Sequence, residues 1–430
     1  MTLLITNANQ LITLASASKK AHTGKEMTEL NIIENGSLLI EEDRIVAVGT
    51  KEELQEQHPE LMEKAEILDA TGSVVMPGLV DAHTHLVFGG TRENEFQMRL
   101  NGATYMEIMN AGGGIHATTK KTRESSFDHL YEKTYAHLND FLRHGITTVE
   151  AKSGYGLDWE TEEKQLQVAK KLQENHTIDV VRTFMGAHAV PAEYKENPDA
   201  FVDLIVNEMI PKVAELGLAE FNDVFCEKGV FTPEQSRRIL LAGKEHGLIP
   251  KIHADEIEPY EGAELAAEVG AISAEHLLVV SDKGIQAMAQ AGTVAVLLPG
   301  TAFFLKAASA RGRLMVDEGV PVAISTDFNP GSSPTISLPF IMNLACMNMG
   351  MTMEEVLTAT TINAAYAINR GDEIGSLESG KKADVLILNV ENYQQLQYFY
   401  GMNHTKTVVK NGKVVVDNGV IIDGLQKSTN

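Results

Sequence analysis

The chain predicts a (β/α)₈ TIM barrel joined to a small β-sandwich domain assembled from its N- and C-terminal segments. Three observations predict it. Strand-like apolar runs alternate with helical patterns through the middle of the chain, eight times over about 250 residues, as a closed barrel requires. Both ends are rich in short β patterns and unlike the middle, so the termini can meet in one small sheet domain. Titratable side chains recur at the carboxyl ends of the predicted strands, where barrels collect their chemistry. A doubly wound sheet would need a glycine-rich phosphate loop after its first strand, and Gly112, Gly113 and Gly114 follow no clear strand. The expected division is 1–76 and 375–430 for the two parts of the β domain and 77–374 for the barrel.

The elements follow in order. Leu3-Leu4-Ile5 and Gln10 to Leu14 are short strand candidates, followed by Gly36 to Ile40 and by Asp43 to Gly49, a turn and an alternating run. Glu52 to Lys64 is charged and reads as helix. The first four barrel strands are expected at Gly78 to Asp81, Thr147 to Lys152, Val180 to His188 and Asn222 to Glu227. The other four fall at Pro250 to Ala254, Ala271 to His276, Val294 to Pro299 and Val322 to Asp327. Phe127 to His144, Glu160 to Glu174, Pro233 to His246 and Asp282 to Ala291 are helical patterns between them. Beyond Gly375, Ala383 to Leu388 is a strand, and Thr407 to Val416 is two strands joined at Asn411-Gly412, a strong hairpin signal.

At 43% hydrophobic and 22% charged residues, the chain can bury a large core. Its 36 basic and 59 acidic side chains give a net charge of -23, which makes phosphate backbones and anionic lipid poor partners. A small anionic substrate feels only the field of its pocket, so it stays admissible. Cys226 and Cys346, beside 17 methionines, fit a reducing cytoplasm rather than a disulfide framework. No apolar run approaches the roughly 20 residues of a membrane helix. Leu11 to Ala17 loosely resembles a signal-peptide core, but no basic residue precedes it and Asn7, Asn9 and Gln10 interrupt it, so it reads as strand.

The strand ends carry the chemistry. The first ends in Asp81-Ala82-His83-Thr84-His85, where period-two alternation puts both imidazoles on one face. The fifth ends in His253-Ala254-Asp255-Glu256, the sixth in Glu275-His276 and the eighth in Ser325-Thr326-Asp327. Histidines with an aspartate suit a divalent ion such as zinc or iron, with a position left for water. A single His-x-His is commonplace, and a single buried histidine is usually core. Four separate strands presenting such groups at one end are not explained by packing.

Pro77-Gly78-Leu79-Val80-Asp81-Ala82-His83-Thr84-His85 resembles the opening signature of the metal-dependent amidohydrolase superfamily, and the later His, His and Asp follow in that superfamily's order. Phe88-Gly89-Gly90-Thr91-Arg92, Gly112-Gly113-Gly114-Ile115, Lys152-Ser153-Gly154-Tyr155-Gly156, Ala187-His188-Ala189-Val190-Pro191 and Asp327-Phe328-Asn329-Pro330-Gly331-Ser332 resemble the imidazolonepropionase family within it. The resemblance implies hydrolysis of 4-imidazolone-5-propanoate to N-formimidoyl-L-glutamate, the third step of histidine degradation. It also implies a homodimer, and His83, His85, His253 and Asp327 as holders of the metal. Asp327 can then also take the proton of water. Glu256 can hydrogen-bond the water or a ring nitrogen, and His276 can polarise the ring carbonyl or shuttle a proton.

An anionic tail needs a local cation, and Arg92 lies in the loop after the first strand. Tyr155 and His188 can add hydrogen bonds, and Asn329, Gly331 and Ser332 offer groups to ring or product. Binuclear members of the superfamily bridge two ions with a lysine at the end of the fourth strand. Here that strand reads Asp223-Val224-Phe225-Cys226-Glu227, with Lys228 beyond it and Lys152 on the second strand instead. One metal per chain, zinc or iron, is therefore expected, with Cys226 as a buried core thiol. Other amidohydrolases acting on cyclic amides or nucleobases share such ligands, but nucleobases carry no carboxylate for Arg92. A closed structural metal site would use four Cys or His ligands, and this one is rich in carboxylates.

Overall fold

The computed structural model describes residues 1–103, 107–108 and 111–422. The chain opens with Thr2–Ile12 (β1), Ile32–Glu41 (β2), Arg44–Thr50 (β3), Glu66–Asp69 (β4) and Val74–Pro77 (β5). The two expected strands at Leu3–Ile5 and Gln10–Leu14 are a single strand whose register shifts between Ile5 and Ala8, where Asn7 takes φ 61°. The helical stretch after β3 is two helices, Lys51–Gln57 and Pro59–Lys64. Pro59 has no N–H to continue the first and suits the opening turn of the second. Thr50 and Glu53 close a capping box on the first helix.

The middle of the chain contributes Leu79–Asp81 (β6), Ile146–Lys152 (β7), Asp179–Ala187 (β8), Phe221–Cys226 (β9), Ile249–Ala254 (β10), Ser273–His276 (β11), Val294–Leu297 (β12) and Val322–Ile324 (β13). They pair side by side in chain order, all parallel, as an eight-stranded sheet. Closure falls just past the strand ends. The Asp327 N–H donates to His83 O at 3.1 Å and the His85 N–H to Phe328 O at 3.0 Å. Asp81 accepts from the Thr326 N–H at 3.1 Å and from its hydroxyl at 2.6 Å. The seam that shuts the barrel therefore also locks the His83–His85 segment to Asp327. β12 and β13 stop short of their expected ends because Pro299 starts a helix and Asp327, at φ 53°, turns the chain.

Val385–Leu388 (β14), Thr405–Lys410 (β15), Lys413–Asp417 (β16) and Val420–Ile421 (β17) complete the fold. β14 pairs antiparallel with β5, joining the termini in the order β17-β16-β15-β14-β5-β1-β2-β3, with β4 on β1. β15 and β16 turn at Asn411 (φ 50°) and Gly412 (φ 73°), as a primed two-residue hairpin demands. The Ile45 N–H donates to Lys381 O, and the Gly380 N–H donates to Ile45 O. One edge thus meets the segment entering β14, and the sandwich is one continuous sheet curled over Leu3, Ile5, Leu38, Ile45, Val75, Val385, Ile387 and Val409.

The amino ends of the barrel strands are plugged by the helix Ile362–Ala367, which sequence patterning does not single out. Ala364, Ala365, Ala367 and Ile368 pack against Val80, Val181, Val294 and Ala323. Asn363 anchors the plug by donating to Val322 O at 2.9 Å and to His22 O at 3.0 Å. Among the described residues no helix is long and apolar enough to cross a membrane.

Candidate active site

Past β6, His83 and His85 enter the barrel mouth and meet His253 from β10, His276 from β11 and Asp327 beyond β13. All five are buried. Ligand atoms of His83, His85 and His253 lie within 4.8 Å of one another, and the same holds for His83, His276 and Asp327. His253 Nε2 and His85 Nε2 are 3.3 Å apart. His83 Nε2 and Asp327 Oδ1 are 3.4 Å apart, and neither atom makes a hydrogen bond. Buried lone pairs aimed at one point are unfavourable unless something positive sits among them. The donor set, imidazole with one carboxylate, is that of a divalent-metal centre.

A buried charge network holds His83 and His253 from below. His83 Nδ1 contacts Glu275 Oε2 at 2.6 Å, and His253 Nδ1 contacts Asp223 Oδ1 at 3.1 Å. His253, with its Nδ1 hydrogen-bonded to a carboxylate, presents the Nε2 lone pair to the centre, and His83 is held by the close charge contact with Glu275. Lys152 Nζ lies 2.7 Å from Asp223, 2.9 Å from Glu275 and 3.0 Å from Glu150. Lys251 Nζ lies 2.8 Å from Glu150 and 3.1 Å from Glu275. Thr301 donates to Asp327 Oδ2 at 2.5 Å. Burial opposes a charge on His83, but Glu275 and Asp327 outweigh it and raise its pKa to about 9. A cation binding there must displace a proton, so metal uptake is favoured by rising pH.

Around the histidines stand the remaining candidates. His188 stacks on His85 with centroids 4.6 Å apart and planes at 9°, while its Nδ1 meets Gly154 O at 3.0 Å. Burial and the neighbouring His253 lower His188 to about 3, so it is neutral. Tyr155 lies 5.3 Å from His188, ring to ring, and burial pushes its phenol up. Glu256 sits 3.6 Å from His276; burial, with Asp327 and Glu227 nearby, raises it to about 8. Arg92 is largely buried, its Nη1 4.0 Å from Glu95, its Nε without a hydrogen-bond partner. Asn329 uses its amide on its own turn, accepting from the Gly331 and Ser332 N–H groups at 2.8 Å each and donating to Asp327 O at 2.7 Å. A cavity of about 420 Å³ adjoins Arg92 and Asn329, walled by Phe88, Phe96, Phe304 and Phe328. His83, His85, His253, His276 and Asp327 meet at this end of the barrel, with Tyr155, His188 and Glu256 beside them. Cys226 is fully buried, and burial raises its thiol to about 12.

Sequence reasoning noted Lys152, Asp223 and Glu275 but not their shared supporting role, and it passed over Glu150 and Lys251. Glu150 and Lys152, Lys251 and His253, and Ser273 and Glu275 are each two residues apart on one strand. Alternation read backwards from the strand ends would have placed them all inside the barrel.

A model of the amidohydrolase family matches residues 74–415, and one of the bacterial imidazolonepropionase-like composite domain matches residues 38–60. The imidazolonepropionase of Geobacillus sp. (strain WCH70) is 67% identical over 417 residues, covering 97% of this chain and 98% of that protein. The one from Brevibacillus brevis is 65% identical, covering 96% and 98%. Zinc-bound atrazine chlorohydrolase from Arthrobacter aurescens TC1 shares the fold at TM-score 0.73 and 18% identity, covering 98% of this chain and 97% of its own. With such identity over nearly its whole length, the chain belongs to the imidazolonepropionase family of the amidohydrolases.

Proposed function

We propose that the chain is a metal-dependent hydrolase that opens the ring of 4-imidazolone-5-propanoate to N-formimidoyl-L-glutamate, in histidine degradation. The observation that carries the reading is the convergence of buried, unpaired imidazole and carboxylate atoms beside a half-engaged arginine. His83, His85, His253 and Asp327 would hold one divalent ion, zinc or iron. When bound, the ion supplies Lewis-acid activation of water and of the ring carbonyl. A single ion is supported by Lys152, whose amine is committed to three carboxylates and is not free to bridge a second.

The chain's own groups account for the rest. Asp327 accepts the proton of the attacking water, helped by Thr301, which fixes its other oxygen. Water adds to the ring carbonyl carbon, the ring C–N bond breaks, and the proton passes to the departing nitrogen. Glu256, raised to about 8, carries a proton at neutral pH and can donate it there. His276, 3.6 Å from Glu256, can polarise the carbonyl or pass the proton. Arg92, with Tyr155 and His188, binds the propanoate, while Asn329, Gly331 and Ser332 form the adjoining wall and offer groups to ring or product. These residues all fall within 77–374, which supports assigning catalysis to that segment and support to 1–76 and 375–430. The unpaired thiols of Cys226 and Cys346 favour a cytoplasmic setting. A homodimer, as the resemblance implies, has an apolar surface available in exposed Tyr398, Tyr400 and Met402.

Turnover of freshly prepared 4-imidazolone-5-propanoate, followed by loss of ring absorbance with and without chelator, tests the reading. Conversion that stops with the chelator and returns with metal is expected. No conversion by metal-loaded protein would reject the substrate.

A further inference from the structure

We infer that Glu95 is a positioning residue that fixes the Arg92 guanidinium for recognition of the substrate's carboxylate, and that Gly114, last of the Gly112-Gly113-Gly114 run, supplies the backbone N–H holding Glu95. The inference rests on the role proposed above for Arg92. Arg92 caps the helix Glu93–Leu100, and Glu95 stands on its first turn. One Glu95 oxygen lies 4.0 Å from Arg92 Nη1. The other accepts the Gly114 N–H at 3.0 Å. Gly114 takes φ 80° and ψ -163°, a conformation essentially closed to residues with a Cβ, and that conformation aims its N–H at Glu95. Both residues are nearly sealed from solvent, with side chains 14% and 12% exposed, so their pairing is screened far less than a surface pair.

The same helix fixes the surface on which the guanidinium lies. Arg99, one turn beyond Glu95, donates from Nη2 to Gly331 O at 3.0 Å. A Cβ on Gly331 would stand 1.0 Å from Arg92 Nη2 and 2.1 Å from its Cζ. Glycine at 331 is therefore the floor of the arginine's slot. Holding a flexible guanidinium in one orientation before the ligand arrives lowers the entropy lost on binding. Glu95 also has an opposing effect, because its carboxylate repels the substrate's. The two effects predict opposite signs when the charge is removed. Positioning dominates here, because Glu95 is itself held and cannot swing aside.

Glu95→Gln keeps an acceptor for the Gly114 N–H and removes the charge. For the carboxylate substrate we expect KM to rise about five- to tenfold with kcat within about twofold of the parent. Metal content by elemental analysis should be unchanged. With an analogue whose tail carboxylate is an amide, the variant and the parent should share one KM. In the Arg92→Ala background only the repulsion is left, so adding Glu95→Gln should give no further rise in KM and at most a small fall. Gly331→Ala, which leaves Glu95 in place but fills the slot, should raise KM in the same carboxylate-specific way. An unchanged or lower KM in Glu95→Gln, or an equal rise with the amide analogue, overturns the inference while leaving Arg92 in its role. An unchanged KM in Arg92→Ala overturns that role and the inference with it.

Discussion

The two ends of the barrel interior are equally closed to solvent and filled with different chemistry. Toward the carboxyl ends of the strands, Glu150, Lys152, Asp223, Lys251 and Glu275 are fully or almost fully buried, each compensated by another charge. At the amino ends, Ala364, Ala365, Ala367 and Ile368 pack against aliphatic side chains, and Asn363 supplies neutral hydrogen bonds. Desolvating ions is costly and is recovered only through close pairing, whereas aliphatic burial is favourable outright. One half of the barrel interior is therefore organised for orienting imidazoles, and the other half for holding the barrel shut. Substitutions in the two halves should differ in kind as well as in size.

The largest effect is expected at Lys152. Lys152→Met leaves Asp223 and Glu275 short of a counter-charge and should cost about 3–5 kcal/mol in denaturant unfolding of metal-free protein. A loss below about 1 kcal/mol would mean that the network is not electrostatically coupled. At the plug, Ile368→Ala should cost about 2–4 kcal/mol by leaving a cavity, yet keep kcat/KM within about twofold. A large loss of activity there would break the separation between the ends. The smallest of the three lies at Glu275. Glu275→Gln should weaken metal affinity about 10- to 100-fold, measured by competition with a chromophoric chelator, because His83 loses its charged partner. Unaltered affinity would show that Glu275 serves the lysines and not the histidine.

This contrast also explains what the sequence made legible. The eight barrel strands, the hairpin at Asn411-Gly412 and the convergence of His83, His85, His253, His276 and Asp327 follow from alternation, turn chemistry and strand-end position. The expected fold, with its termini joined in one sheet, is the fold found, and the family implied by the motifs is the family shown by the relatives. Less legible were features set by tertiary context. β4 and β5 are four residues each and take their place from β1. The plug helix is only six residues long, too short to show a period. Glu95 and Glu275 look like ordinary acidic residues until the fold shows what each one faces.

The most direct test of the charge-built metal centre is thermal unfolding of metal-stripped protein with and without added Zn²⁺, in the parent, His253→Ala and Ile368→Ala. Ligand binding to the folded state alone raises stability by mass action. The parent and Ile368→Ala should gain the same increment on adding the ion, from different starting points, and His253→Ala should gain little or none. An equal gain in all three proteins would contradict a metal centre at these histidines.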